Sequence, residues 1–275
     1  MTRTDEYRAT LRALPDRDWD EYLCDRSGLP GPRGNIELAV AAAEEASPSR
    51  IRGWLEWDAD RAPANTPAEL LTFCGVLGLG RLVVEGDDQA LVVLRRHASD
   101  PRWRTREAVA MAIQRIADAD FDRALEIVSE WVRGGWLERR AAAAGLCEPR
   151  LLSSRDRTAA VLDLLDAITE KVVSAERDDR RHVDFRALRK ALGYCWSVAV
   201  ASDPTTGTAR MERWIGVEDE DVRWLMRTNL TKRRLERMDS AWVAAQRSRL
   251  TWASSSNPPA PDCGPVGTLG PFGPS

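Results

Sequence analysis

The sequence predicts an all-α fold, a solenoid of stacked antiparallel helix pairs, and three observations support this. A segment built around one arginine occurs four times, and alignment on Arg106, Arg139, Arg186 and Arg223 gives spacings of 33, 47 and 37 residues. Residues 4–247 have helical patterning with Pro, Gly and Asp-Pro breaks and no strand between the copies. Each arginine-bearing helix also follows another helix after a short break, which predicts the helix hairpin that stacks into solenoids.

The first region, residues 1–34, is predicted to contain N-terminal capping helices and a Gly/Pro-rich turn. A glycine-rich turn before a helix invites a phosphate-loop interpretation, because helix N-termini bind anions. Pro30 and Pro32 have no N–H to donate, however, and no Gly-Lys-Ser/Thr run follows, so a turn between helices is favoured. Asn35 is then predicted to be the N-cap of the next helix.

The second region, residues 35–251, is predicted to be the repeat array. Beyond the helix that starts at Asn35, helices are expected at 48–58, 67–84, 87–98, 102–117, 121–133, 136–147, 155–174, 184–200, 205–215 and 220–247, the last broken near 230. The remaining residues, 252–275, are rich in Pro, Gly and Ser and are predicted to be disordered.

The repeated arginines are predicted to be structural. Apolar residues follow each arginine at about two and seven positions, as Ala108 and Ile113 follow Arg106, which places them on one helix face. Acidic residues precede the arginine in three copies and are expected to cap the helix and to pair with arginine; they are Asp100, Asp184 and Asp219. We therefore expect Arg106, Arg139, Arg186 and Arg223 to hold the repeats together, with ligand contact as the alternative.

The charge distribution suggests an anionic partner near the C-terminus. The net charge is −3, yet residues 1–60 carry −5 and residues 223–249 carry +6. A solvated helix face is the alternative explanation. The candidate contacts with a partner or nucleic acid are Arg102, Arg104, Arg140, Arg189, Lys190, Arg227, Lys232, Arg233, Arg234 and Arg237. If the last helix were continuous, Arg227, Arg234 and Arg237 would share one stripe.

Trp103, Trp136 and Trp224 lie beside basic residues at the starts of three arginine-bearing helices. They are expected either to stack on arginine within the fold or to be exposed anchors for a partner.

Composition argues against several other classes. No apolar stretch is long enough for a membrane helix, and the N-terminus has no apolar signal region, so a cytoplasmic protein is expected. Five scattered cysteines without a C-x-x-C pair and only two histidines predict buried free thiols, no metal and no cofactor. No catalytic residue is assigned.

Residues 87–235 resemble three to four HEAT repeats. The resemblance rests mainly on residues 100–108 and on Asp221-Val222-Arg223-Trp224, and the chain is similar to HEAT-repeat proteins common in actinobacteria. The second copy departs from the pattern, with Gly134-Gly135 in place of the acidic-Pro turn.

The resemblance implies a non-catalytic module that binds a partner protein on a concave face. The alternative is a DNA-binding protein related to the HEAT-like DNA alkylation repair glycosylases, although their Trp-Trp-Asp-x-x-Asp-like run is absent here. DNA binding would be favoured if one groove without acidic neighbours were lined by Arg102, Arg104, Arg139, Arg140, Arg189, Lys190, Arg227 and Arg233.

Overall fold

The computed structural model describes residues 2–252, and in that range sixteen α-helices and one short 3-10 helix follow one another without a strand. The all-α class is therefore confirmed for the described part of the chain. Nearly all of the predicted disordered tail lies outside the described residues. No helix in the described range is both long and apolar enough to cross a membrane.

A continuous row of helices forms the centre of the fold, and each member packs against the next. This row comprises α1 (Arg3–Ala13), α3 (Ile36–Glu45), α5 (Glu69–Val84), α7 (Trp103–Ala119), α9 (Trp136–Leu146), α12 (Val183–Ser202), α14 (Glu220–Leu230) and α16 (Ser240–Trp252). One hydrophobic core runs along it, with Trp54 and Trp196 among its largest fully buried side chains.

Other helices pack against the row. They are α2 (Trp19–Asp25), α4 (Pro48–Trp54), α6 (Asp88–His97), α8 (Phe121–Val132), α10 (Arg155–Val173), α11 (Arg177–Arg181), α13 (Pro204–Ile215) and α15 (Arg233–Met238). The members α4, α6, α8, α10 and α13 return the chain from one row helix to the next, and we call them the second row. Within it, α8 packs against α10 and α10 against α13. The row helices α5, α7, α9, α12 and α14 each contact two row neighbours and at least one helix of the second row, which leaves one stripe of their surface uncovered by the second row.

Several predicted helix boundaries are confirmed. The Asn35 side chain accepts a hydrogen bond from the Leu38 N–H at 3.1 Å and so caps α3. The helix predicted at 220–247 does break near 230, and a second break falls at Asp239 between α15 and α16. The helix predicted at 48–58 ends earlier, at Trp54, because a loop of residues 55–68 follows it.

The acidic residues before the arginines have different roles. Asp219 caps α14 by accepting from the Val222 N–H at 3.0 Å, as expected. Asp184 lies inside α12, where His182 is the cap instead, so capping by Asp184 was wrong. Asp100 precedes the cap of α7, Arg102, and accepts from its N–H at 2.8 Å.

Glycines allow neighbouring row helices to approach closely. A Cβ on Gly80 in α5 would lie 2.8 Å from the Cα of Ala112 in α7. A Cβ on Gly145 in α9 would lie 2.5 Å from Cγ2 of Ile113 in α7. The spacing of α5, α7 and α9 therefore depends on the absence of these two side chains.

Candidate partner-binding surface

The four arginines aligned in the sequence occupy one position in the structure, since each is the fourth residue of its helix in α7, α9, α12 or α14. These helices are consecutive members of the row. Arg106 donates from Nη1 to the carbonyl oxygens of Asp100 and Pro101, at 2.6 and 2.9 Å. Arg139 donates from Nε to the carbonyl oxygen of Val132 at 2.9 Å. Both side chains tie the start of a row helix to the segment before it.

The other two members differ. The Nη2 atom of Arg223 lies 3.8 Å from Glu218 Oε1. Arg186 is exposed, and its side chain has no hydrogen bond or ion pair among the described residues. A shared helix position therefore does not produce a shared contact.

Three arginines close to the aligned positions form ion pairs between neighbouring row helices. Arg104 of α7 reaches Glu69 of α5, with Nη1 3.1 Å from Oε2. Arg140 of α9 pairs with Glu107 of α7 and donates from Nη1 to the Arg106 carbonyl oxygen at 3.1 Å.

Arg189 of α12 follows the same pattern, with its Nε 3.1 Å from Asp221 Oδ1 of α14. Arg104, Arg140 and Arg189 were all expected to contact a partner, yet their charged ends are directed at carboxylates within the fold.

Burial corrects the expectation for Arg102 and Arg104. Their residues are only 3% and 6% exposed, so no guanidinium face remains for a partner. Arg102 Nη1 donates to the carbonyl oxygens of Trp57 and Ala62, each at 3.0 Å. Burying a charge is costly unless it is paired and hydrogen-bonded, and these bonds supply that compensation.

Arg104 connects the start of α7 with residues that are at least 35 positions away from it in the chain. Besides Glu69, its Nη2 atom donates to the Gly31 carbonyl oxygen at 2.6 Å and to Asn65 Oδ1 at 3.3 Å. Asn65 Oδ1 also accepts from the Gly31 N–H at 3.0 Å. The Gly/Pro turn, the 55–68 loop and the starts of α5 and α7 are therefore fixed by one side chain.

Asp100 is the carboxylate that accompanies Arg102. The two are joined by side-chain hydrogen bonds of 2.9 and 2.8 Å. Although burial by itself raises the pKa of Asp100, hydrogen bonds from Arg102 and His97 outweigh it and hold that pKa well below its ordinary value.

Arginine–tryptophan stacking occurs at all three tryptophans singled out in the sequence. The guanidinium carbon of Arg104 lies 4.5 Å from the Trp103 ring centroid, and that of Arg139 lies 4.6 Å from Trp136. Arg189 lies 4.2 Å from Trp224. The stacking interpretation is thus confirmed, while Trp103 also remains 39% exposed.

The stripes of α7, α9 and α12 that the second row leaves uncovered are defined as the row face. It consists of Glu107, Met111, Gln114, Arg140, Ala144, Lys190 and Tyr194. Gln114 Nε2 donates to the Ala144 carbonyl oxygen at 3.4 Å, and the Arg140–Glu107 pair also joins α9 to α7 across this face. Polar, apolar and small side chains alternate on it, and the Arg140 charge is neutralised.

A group of cations lies at the C-terminal end of the row face, and we call Lys190, Lys232, Arg233, Arg234 and Arg237 the basic cluster. Arg234 lies over the Tyr194 ring at 4.6 Å and donates to its hydroxyl. Burial lowers the pKa of Lys232, and the neighbouring Arg234 lowers it further. Lys190 is exposed and lies one helical turn before Tyr194 on α12.

The break after Leu230 corrects one detail of the predicted basic stripe. Arg227 is exposed on α14, whereas Arg234 and Arg237 belong to α15. The stripe required a continuous helix, so these three residues do not lie on one helical face.

One structural arginine was missed by sequence reasoning. Arg180 of α11 pairs with Asp219 at 2.9 Å and with Asp221 at 2.8 Å, and it donates to the Val173 carbonyl oxygen at 2.9 Å. The close acidic pair at Asp219 and Asp221 was the available signal, although nothing in the sequence connects it with position 180.

The cysteines provide no recognisable metal site in the described part of the chain. Cys74, Cys147 and Cys195 are buried free thiols, as expected, and Cys24 is half-buried. Burial raises the pKa of the Cys74 thiol. Among residues 2–252, no group of three or more His, Cys, Asp or Glu side chains could hold a metal ion. Cys263 lies outside the described residues.

Comparison of the chain with protein-family models, with curated proteins and with solved structures finds no match.

Proposed function

We propose that this protein is a HEAT-type α-solenoid that works as a non-catalytic interaction module, with a partner protein bound on its concave face. We equate that concave face with the row face. The proposal rests on the fold and on the chemistry of this surface, because the resemblance to HEAT repeats comes from the sequence alone.

The repeat register supports the solenoid assignment. Arg106, Arg139, Arg186 and Arg223 occupy the same helix position in four neighbouring row helices. A returning helix precedes each of these helices, as stacked hairpins require.

The row face is the observation that carries the functional proposal. It is a continuous surface over three helices, uncovered by the second row, with Met111 and Ala144 among polar side chains. Protein interfaces combine such apolar centres with polar rims. Solenoids use extended surfaces of this kind for binding.

The distribution of cations weakens the nucleic-acid alternative. The affinity of a protein for a nucleic-acid backbone depends on many cationic side chains that are free to neutralise phosphates. Of the basic residues that were to line one groove, Arg102, Arg104, Arg140 and Arg189 are engaged with carboxylates. DNA binding was favoured only if these arginines had no acidic neighbours, and the structure places carboxylates beside them.

The test compares two variants that each replace an apolar side chain by glutamate. Met111→Glu places a charge on the row face, whereas Val92→Glu places one on α6 of the second row, where Val92 is 56% exposed. A partner captured from the native host by crosslinking should bind the wild type and Val92→Glu equally in calorimetry. Met111→Glu should weaken its binding by about tenfold or more while melting normally.

Equal binding of that partner by both variants would contradict the row-face assignment. Capture that disappears on nuclease treatment would instead favour the nucleic-acid alternative.

A further inference from the structure

The basic cluster differs from Arg104, Arg140 and Arg189 of the row, because its members form no ion pair with a described carboxylate. Arg233, Arg237, Lys190 and Lys232 form no ion pair with any described residue. Nearby acidic groups are engaged elsewhere, since Glu236 lies 3.9 Å from Arg247 and Glu148 lies 3.4 Å from Arg150. Four of the eight cations of residues 223–249 therefore form no ion pair with a described carboxylate, namely Lys232, Arg233, Arg234 and Arg237.

The cluster also has a positioned member. Tyr194 holds the Arg234 guanidinium by stacking under it at 4.6 Å and by accepting a hydrogen bond at its hydroxyl. A stacked guanidinium keeps part of its planar fork available for a carboxylate. Because stacking already restricts the side chain, it loses little further conformational entropy when it binds. Lys232 is half-buried beside it, so two like charges are kept close together without a counter-ion.

We propose that the basic cluster binds the carboxylate side chains of an acidic segment of the partner protein, with Arg234 and Lys232 as its main contacts. This deepens the proposed function, because the cluster adjoins the row face at Tyr194 and Lys190.

The extent of the positive surface favours a short acidic segment over a nucleic acid. At the α7 end of the row face, Glu107 pairs with Arg140. Beside it, Arg115 and Asp118 of α7 form ion pairs with Glu44 and Arg150, so the cations in this region are matched by carboxylates. A phosphate backbone that followed the row would meet these carboxylates. A segment with a few acidic residues at one end would meet the cluster alone, which is the pattern of electrostatic complementarity at protein interfaces.

The test uses fluorescence anisotropy of the full chain with a labelled peptide of alternating Glu and Ser. The control peptide has Gln in place of Glu, and duplex DNA of equal charge provides a third arm. At low salt the acidic peptide should bind, the Gln peptide should not, and DNA should bind more weakly than the acidic peptide. Affinity for the acidic peptide should fall as salt is added.

Two double variants are compared, and each removes two positive charges from the protein. Lys232→Gln with Arg234→Gln should weaken peptide binding by about tenfold or more relative to the wild type. Arg17→Gln with Arg96→Gln removes two exposed cations far from the cluster and should leave affinity within about twofold. Lys190→Gln changes an exposed residue that has no hydrogen bond or ion pair with the described residues. A loss of about threefold is expected for it, and this variant still tests the proposal if the double variant unfolds.

Equal affinities for the two double variants would overturn the proposal, as would no binding of the acidic peptide at low salt. Tighter binding of DNA that depends on Lys232 and Arg234 would assign the cluster to nucleic acid instead. Self-association abolished by the same substitutions would assign it to the acidic N-terminal region of a second copy. If the acidic peptide does not bind while Met111→Glu still weakens partner binding, this inference is wrong but the proposed function is retained.

Discussion

The start of α7 and the short helix α15 both contain closely spaced basic residues, yet the fold treats them in opposite ways. Arg102 and Arg104 are buried, with Asp100 and Glu69 as partners. Arg233 and Arg237 are exposed on α15 and have no ion pair within the described residues. The residue type is the same, so the neighbouring segments decide whether a cation stabilises the fold or remains available for a partner.

Charge burial explains the difference. A guanidinium leaves water at a large cost, and only a well-placed carboxylate with further hydrogen bonds offsets it. At α7 the Gly/Pro turn, the 55–68 loop and α5 together provide those groups. Around α15, Glu236 lies 3.9 Å from Arg247 and Asp239 accepts from the Trp242 N–H, while Arg233 and Arg237 remain at the surface.

The largest expected effect comes from breaking the buried pair. Arg104→Ala leaves Glu69, which is 0% exposed, without its cation and should lower the free energy of unfolding by about 3–5 kcal/mol. Urea denaturation measures it. Arg237→Ala on α15 is the matched control and should change stability by less than about 0.5 kcal/mol. Similar losses for both variants would remove the contrast between the two regions.

The second effect depends on pH. Asp100→Asn should lower stability by about 2–3 kcal/mol at neutral pH, because charge-assisted bonds to Arg102 are lost. Since the folded pKa of Asp100 is lowered, its stabilisation is complete above the ordinary carboxyl pKa of about 3.9 and is lost as the pH falls through the folded value. Denaturation curves of wild type and variant should therefore converge only at strongly acidic pH, and a pH-independent gap would refute this.

The third effect concerns the helix spacing that positions these arginines. Gly80→Ala forces a Cβ against the Ala112 backbone and should cost about 1–2 kcal/mol. Gly53→Ala in α4 meets no atom within 4 Å and should instead stabilise by about 0.5–1 kcal/mol. Thermal melting distinguishes the two, and a stabilising Gly80→Ala would show that α5 and α7 can move apart.

The smallest expected changes in stability come from substitutions at two of the aligned arginines, Arg106 and Arg186. Arg106→Ala removes two hydrogen bonds to carbonyl oxygens and should cost about 1 kcal/mol. Arg186→Ala changes an exposed side chain and should cost less than about 0.5 kcal/mol. Comparable losses at both positions in chemical denaturation would mean that Arg186 has a structural role after all.

Local features of this protein could be predicted from the sequence because they depend on residues near one another in the chain. The Asn35 and Asp219 caps, the break near 230 and the placement of four arginines at one helix position all follow from short-range patterns. Helix periodicity and capping act over a few residues, so a single sequence contains what they require.

Only the tertiary structure decided which arginines are buried and which are free. Arg104 meets Glu69 and Gly31, which are 35 and 73 positions away in the chain. No periodicity links these residues, so the aligned Arg106 was expected to join the repeats while Arg104 was expected at the surface. Their roles depend on the carboxylates and carbonyls that the packing of α5, α7 and the intervening loops brings together, because burial and pairing are properties of the whole fold.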